Sequence, residues 1–489
     1  MVNRRTFLQM IGGGAALGVS AKYTAPVLAT DDTNENPISQ DSIREDVDRT
    51  QIASTNGPRG PYVTTGWSAN YGASELSGSP TISNGSVYIG RETDYVLRIG
   101  YITAFDEKTG ALKWIRRHNP ESNTRIGFPR HAPVVSGGRL FFSGSQHSEE
   151  SERENYNYGG IYALDAQSGT IEWFREDIVR PPILDASDGR VYVGSHALDA
   201  TTGQTIWTGE LNEQLLGLVN GVVFTQSPET LSGDPTTHLI ARDAADGTQL
   251  WRVPAPESWM DAAVTPNTLY LTSDDADGNR SYERGLFSRQ TLSVYAYSAT
   301  DGSKQWERTV RARGEGNRPY VSAPAVDDSH VYVSTRSSFS AFLDNADHPI
   351  DAAGTVYALD RETGAERWRF ETPAHVDAAP TVAGDTVYVA ARYYSCPGTP
   401  PSGSHPPQNI VYALETVTGK ERWSSAVDAG APGLSPTIAN GKLYFAVSGA
   451  TDIVSGWLGV LEPTDCQPSC EHQVADDGKT RTVQASNGC

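Results

Sequence analysis

Lysine is scarce in this sequence: seven lysines stand among 39 basic residues, against 59 acids, for a formal net charge of −20. Such a balance repels a phosphate backbone, so nucleic acid is not an expected partner. A lysine-poor acidic surface stays soluble in strong brine, which points to a halophilic source. Long apolar runs are also missing. After residue 21 none approaches the ~18 residues of a membrane span, so the mature chain is expected to have no transmembrane segment. Cysteine is rare and late: the four are Cys396, Cys466, Cys470 and Cys489. No two are adjacent, no Cys-x-x-Cys-His haem motif occurs, and no lipid-accepting cysteine follows the N-terminus. Neither a Gly-x-Ser-x-Gly elbow nor a His-Glu-x-x-His helix is present, which removes the local support for hydrolase chemistry. Asp275-Ala276-Asp277-Gly278 begins like a calcium loop, but Arg284 stands where the bidentate Glu belongs.

The N-terminus reads as an address. Asn3-Arg4-Arg5-Thr6-Phe7-Leu8 resembles the twin-arginine export motif, and a Gly/Ala-rich apolar stretch runs from Met10 to Ala21. Residues 1–29 are read as a signal peptide, with Val19-Ser20-Ala21 and Val27-Leu28-Ala29 both open as cleavage sites. Export by this route places the protein outside the cell or on its surface. Residues 30–57 are polar and acidic and are expected to form a disordered leader.

Abundant Gly and Pro, with no long charged helical stretch, indicate an all-β chain, and internal periodicity decides the fold. Seven glycines, Gly110, Gly169, Gly203, Gly247, Gly302, Gly364 and Gly419, each stand four residues before a tryptophan. Those tryptophans are Trp114, Trp173, Trp207, Trp251, Trp306, Trp368 and Trp423. Six residues before each Gly is an alanine: Ala104, Ala163, Ala197, Ala241, Ala296, Ala358 and Ala413. Four before each Gly is an acid (Asp106, Asp165, Asp199, Asp243, Asp360, Glu415), with Ser298 the exception. The acid is suited to bonding the backbone of a tight turn, and the Gly to a positive φ. The Trp is expected to dock, burying a large face between neighbouring units while its N–H finds a partner. The alanine is expected to be small because something bulky lies across it. Each unit reads as four short strands A–D of one antiparallel blade, as in Ala323–Val326, His330–Val333, Val356–Asp360 and Ala365–Trp368.

Seven complete units are followed by an eighth, Ser435–Ile438, Lys442–Phe445 and Leu458–Glu462, which lacks its Gly-x-x-x-Trp strand. Upstream, Thr64-Thr65-Gly66-Trp67-Ser68 is an orphan strand carrying the missing tryptophan, so Trp67 is the eighth docking residue. The expected fold is an all-β, eight-bladed β-propeller of four-stranded antiparallel blades over residues 58–465. Its last blade is completed by the N-terminal strand, and a Cys-containing tail occupies residues 466–489. The even cysteine count in an exported chain favours disulfides, with all three pairings open. Cys466 stands where the eighth turn glycine would, so a bridge there would staple the seam. Cys466-x-x-x-Cys470 with His472 is not expected to hold a metal.

The pattern Ala-x-Asp-x-x-Thr-Gly-x-x-x-Trp resembles the tryptophan-docking motif of PQQ-like propellers, the quinoprotein alcohol dehydrogenases and the BamB-type outer-membrane assembly proteins. The resemblance covers roughly residues 60–465. It is specific for fold and far less so for function. The dehydrogenases carry an adjacent Cys-Cys disulfide, and a Glu, an Asn and a catalytic Asp around calcium. None of that set maps onto a matching position here. No catalytic residue and no metal are therefore assigned, and no cofactor is expected. PQQ with calcium, in a quinoprotein alcohol or sugar dehydrogenase, is the alternative.

The B–C connections are long in blades one, two, four, five, six and seven, absent in blade three, and all fall on one face. The A–B and C–D turns of the other face are short. Length invested on one face of a rigid scaffold marks a binding face. Its D-to-A links supply Arg130, His131, Arg180, Trp259, Asp261, Arg318, Tyr320, His375 and Asp377, and its B–C loops Tyr156, Tyr158, Arg392, Tyr393 and Tyr394. Aromatics mixed with Arg, His and Asp suit either a ligand funnel or a protein-contact rim. The leading expectation is a monomeric, non-enzymatic binding or assembly scaffold whose protein or small-molecule partner meets this face. A carbohydrate-binding role would rest on Trp259 and Tyr393-Tyr394.

Overall fold

The computed structural model describes residues 52–53, 55–58, 62–70, 75–92, 100–116, 131–146, 158–178, 184–210, 213–227, 237–255, 260–273, 292–312, 318–338, 354–372, 376, 378–393, 408–427, 435–447, 457–464, 469–474 and 480–485. These contain thirty-six strands and no helix. β1 (Ile52–Ala53) and β2 (Tyr62–Asn70) come first. Blade one is β3 (Glu75–Ser83), β4 (Ser86–Glu92), β5 (Gly100–Asp106) and β6 (Leu112–Arg116). Blade two is β7 (Val134–Ser136), β8 (Arg139–Gln146), β9 (Tyr158–Asp165) and β10 (Ile171–Arg175). Blade three is β11 (Leu184–Ser187), β12 (Arg190–Val193), β13 (His196–Asp199) and β14 (Thr205–Thr208). Blade four is β15 (Gln214–Val219), β16 (Val222–Ser227), β17 (His238–Asp243) and β18 (Gln249–Pro254). Blade five is β19 (Met260–Val264), β20 (Thr268–Ser273), β21 (Leu292–Ser298) and β22 (Lys304–Val310).

In blade six the first strand is broken at Pro324 into β23 (Arg318–Val321) and β24 (Ala325–Val326), both paired with β25 (His330–Ser338). β26 (Gly354–Asp360) and β27 (Glu366–Thr372) complete it. Blade seven is β28 (Thr381–Ala383), β29 (Thr386–Tyr393), β30 (Gln408–Glu415) and β31 (Glu421–Val427). Blade eight is β32 (Thr437–Ala439), β33 (Lys442–Val447) and β34 (Trp457–Thr464), and its fourth strand is β2, antiparallel to β34. A separate hairpin follows, β35 (Ser469–Val474) with β36 (Thr480–Ala485). The arrangement is the expected eight-bladed propeller of antiparallel four-stranded sheets. First strands abut the first strands of neighbouring blades, as β3 does β7 and β15 does β19, so they line the axis.

Each repeat position has a visible cause. In all seven units the alanine lies directly across from the tryptophan of the next strand, as in Ala104↔Trp114 and Ala413↔Trp423. A larger side chain there would collide with the indole. The turn glycines are left-handed, with φ between 67° and 76°, a region open to glycine at no steric cost. They answer a second demand as well: each carries the indole of the preceding blade. A Cβ on Gly110 would lie 2.6 Å from the Trp67 ring, and one on Gly169 2.6 Å from Trp114. The acid closes the turn, Asp199 accepting from the backbone N–H groups of Thr201 and Thr202 and from the Thr202 hydroxyl.

The indole N–H donates across the seam to the carbonyl just after the next blade's turn acid. Trp114 reaches Ala166, Trp173 reaches Ala200, Trp207 reaches Ala244, and Trp67 of the eighth sheet reaches Glu107 of blade one (2.8 Å). Trp306 reaches Arg361 (3.1 Å) and Trp368 reaches Thr416 (2.7 Å) in the same way. Trp251 reaches Ala299 (3.0 Å), although the residue before that carbonyl is Ser298 and not an acid. The docking bond therefore needs the turn's shape rather than its charge. The depth of docking varies: Trp207, Trp306, Trp368 and Trp423 are buried, while Trp67, Trp114, Trp173 and Trp251 are partly so. A second-strand tyrosine often joins the same acceptor, Tyr88 at Ala166 and Tyr192 at Ala244. Apolar clusters fill the space between blades. Phe224, Leu239 and Ala241 of blade four, for example, pack on Leu269, Leu271, Tyr295 and Tyr297 of blade five, with Trp251 against their edge.

Blade eight has no turn glycine to receive Trp423. In its place, Trp423 and Tyr388 of blade seven both donate to the Pro58 carbonyl (3.3 and 3.2 Å), with buried Gly57 pressed against the Tyr388 ring. Just upstream, Ile52–Ala53 pairs in parallel with β28, the inner strand of blade seven. The last residues of the acidic stretch 30–57 are thus built into the propeller, while 30–51 lie outside the described residues. The signal segment and all four cysteine side chains also lie outside them.

Candidate functional site

Two or three residues join strands A and B, and five join C and D. At Asn84-Gly85, Asn220-Gly221 and Asn440-Gly441 the turn asparagines take a positive φ. On the opposite face the second and third strands are separated by residues 93–99, 147–157, 228–237, 274–291, 339–353, 394–407 and 448–456. Blade three closes with Gly194-Ser195 alone.

Among the expected face residues, Arg130, Arg180, Trp259, His375, Asp377, Tyr394 and Tyr156 lie outside the described residues. His131 sits in the link entering β7, as expected. The others stand on strands rather than in connections. Asp261 is exposed within β19, and Arg318 and Tyr320 are in β23, whose pairing with β25 extends blade six toward the loop face. Arg392 and Tyr393 end β29, held by Asn409 and Gln408 across the ladder, and Tyr158 opens β9. Tyr320 faces Arg336 in register, with the guanidinium 5.1 Å from the ring centre. Blade one repeats the arrangement, Arg91 lying 4.9 Å over Tyr101. Such stacking fixes the plane of the guanidinium.

Sequence reasoning missed a charged cluster around loopless blade three. Arg242 occupies the position before the turn acid, where Leu164, Leu198, Leu359 and Leu414 stand in other blades. That contrast within the repeat was the available signal. Arg242 bonds Glu213 (2.5 Å), itself only 3% exposed and held by the Thr225 hydroxyl (2.9 Å). Glu210 pairs with Arg252 (2.7 Å), whose far nitrogen meets His238 Nδ1 at 3.3 Å. On the other side of the blade Arg175 grips Asp177 through two 2.7 Å bonds, beside His196 and Ser195. Burial, and then the Arg175 charge, hold the His196 imidazole below its ordinary pKa. Every carboxylate in the cluster is engaged by an arginine. The pairs Glu213–Arg242 and Glu210–Arg252 tie the link between blades three and four to blade four.

A family model described as outer membrane protein assembly factor BamB matches residues 64–183, 187–284 and 290–484. The chain belongs to that family. Beyond the BamB family, the chain is similar to a tetrathionate hydrolase of Acidithiobacillus ferrooxidans, 21% identical over 416 residues, covering 78% of this chain and 74% of that protein. Among solved structures, a europium-containing methanol dehydrogenase superposes with a TM-score of 0.55 at 13% identity over 87% of this chain and 97% of the other. The quinohemoprotein alcohol dehydrogenase of Comamonas testosteroni gives 0.57 at 12% identity, over 89% and 83%. At such identities these two likenesses establish the fold alone.

A quinone held by calcium requires several converging oxygen ligands. Among the described residues no group of three or more His, Cys, Asp or Glu side chains is placed to hold a metal ion. Nor is any described helix long and apolar enough to cross a membrane.

Proposed function

We propose that this BamB-family propeller is an exported, non-enzymatic scaffold that holds a protein or ligand partner on its loop-rich face, in a halophile's extracytoplasmic space. The observation carrying this reading is the contrast between faces: one is closed by turns of two to five residues, while the other bears nearly all of the chain's additional length. Rigid blades presenting long connections suit recognition, and stacked Tyr–Arg pairs are typical of contact surfaces. The family description, an assembly factor, supports the same reading.

The test is partner capture from native membranes in molar salt, with variants on each face. Tyr320→Ser together with Asp261→Ala should abolish capture, whereas Val417→Ser on the short-turn face should leave it intact. Equal capture by both variants would refute the assignment of the face. A bound chromophore with dye-linked alcohol oxidation, after addition of the quinone and calcium, would replace the scaffold with a dehydrogenase. Lysine replacement of both Arg4 and Arg5 should strand the protein in the cytoplasm, and undiminished export would remove the twin-arginine route.

A further inference from the structure

One seam of the ring is filled by a piece of chain that belongs to no blade. Elsewhere an indole rests on the turn glycine of the next blade, and that glycine is held in a hairpin between two ladder strands. At the blade seven–eight seam Gly57 and Pro58 take that place. A Cβ on Gly57 would collide with the ring of Tyr388, which is fully buried. Pro58 offers one carbonyl to two buried donors, Trp423 Nε1 (3.3 Å) and the Tyr388 hydroxyl (3.2 Å). Upstream, Ile52 and Ala53 add to the inner edge of blade seven, opposite Val382 and Ala383 of β28. Residues 50–58 carry no charge, in a chain of which 20% is charged. The cluster around the seat, with Ala383, Tyr388, Trp423 and Ile438, is equally uncharged.

The hold on this strap is slight. Its ladder is two residues long, against seven register pairs between β2 and β34, and parallel pairing is the weaker kind. A segment with so few contacts opens at lower cost than the ladders beside it. Opening would leave two buried donors aimed at one carbonyl position, a floor with room for glycine alone, and an unpaired strand edge leading to it. Strand addition uses such a constellation: main-chain bonds give affinity, and a pocket selects the residue. We infer that the blade seven–eight seam is an exchangeable peptide seat, filled in cis by residues 52–58 and open to an uncharged, extended Gly-Pro segment of a partner protein. The seat shares no residue with the loop-rich face.

The probe is a fluorescent peptide of residues 51–59, QIASTNGPR, added to the full-length protein in molar salt. In the parent the tethered strap competes at an effective concentration of about a millimolar, so binding is weak. Gly57→Ala and Gly57→Val unseat the strap, and anisotropy should show the peptide binding both about tenfold or more tighter than the parent. Gly57→Ala is the milder change and carries the test if Gly57→Val does not fold. The peptide should also raise the melting temperatures of these variants, because it binds only the folded ring. The same peptide carrying Gly57→Val should bind neither parent nor variants. In the parent, amide exchange at Ile52 and Ala53 should be faster than in β2. The seat is overturned if the peptide binds the variants no better than the parent, if its Gly57→Val form binds equally, or if strap and β2 exchange together. Partner capture through Tyr320 and Asp261 is read separately, so either idea can fail alone.

Discussion

Replacing Trp67 by alanine tests whether the N-terminal strand is an integral part of the ring. The indole is half-buried, packs on Phe105 with ring centres 6.5 Å apart, lies on Gly110, and donates to the Glu107 carbonyl. Truncating a fully buried aromatic costs ~3–5 kcal/mol. Partial exposure lowers that figure, and the lost indole bond adds about 1 kcal/mol, for an expected total of ~3 kcal/mol. Trp114→Ala is the matched control: Trp114 is also half-buried, lies on Gly169, and bonds Ala166 within the body of the ring. Urea unfolding followed by tryptophan fluorescence and circular dichroism gives both values from the midpoint shift at constant slope. The two variants should fall together, within about 1 kcal/mol, with Trp67→Phe between them and the parent because it forfeits chiefly the N–H bond. A Trp67→Ala protein that unfolds with the parent, while Trp114→Ala unfolds early, would show that β2 does not support the eighth blade.

Three further outcomes follow from the same geometry. Gly57→Val would drive a side chain into the Tyr388 ring and shift Pro58 away from two buried donors, so thermal unfolding should occur well below the parent. A variant melting with the parent would mean that the segment is not a seat for Trp423. Glu213→Ala strands the Arg242 guanidinium and should cost ~3–5 kcal/mol, whereas Leu at both positions should be close to neutral; a costly double variant would refute this account of the pair. Hydrogen bonds from Thr109, Ser168 and Thr363 lower the pKa values of Asp106, Asp165 and Asp360, so the folded state binds fewer protons than the unfolded chain. Their contribution is complete above the unfolded value near 4 and is lost as pH falls below it. Urea midpoints should therefore decline below about pH 4, and a flat profile down to pH 2 would contradict the role of these turns.

Much of the ring was legible because a few residues have no substitute. An alanine opposite an indole, and a left-handed glycine beneath one, are imposed by contact and so recur at fixed intervals. The acid is the softer position, as Ser298 shows by serving the Trp251 seam equally well. The second-strand tyrosines were harder to see: in a run such as His330–Val333, Tyr332 looks like ordinary alternation, and only the neighbouring blade reveals its acceptor. The stretch from Thr55 to Pro58 repeats nothing, because it replaces a turn that the eighth unit lacks. Arg392 and Tyr393 read as loop because a Pro/Gly-rich insertion follows them, yet Asn409 and Gln408 extend the ladder from the other side. The face itself was legible as loop length and not as chemistry. Its connections obey no repeat, and Arg242 stands out only against its counterparts in other blades.

The distance in sequence between β2 and β34 has a consequence for biosynthesis. At ~5–20 residues per second, the ribosome needs roughly 20–80 s after making residue 70 to reach residue 457. Throughout that interval β2 has no sheet to join, and an unpaired strand is a template for the wrong neighbour. Its sequence, YVTTGWSAN, is poor in the aliphatic residues that drive such pairing, and Thr64, Thr65 and Ser68 stay exposed even in the finished propeller. Seven blades can mature by local pairing while this strand remains in solution, tethered and polar. Closure of the eighth sheet, unlike the pairing within the other blades, must therefore wait until β34 has been made.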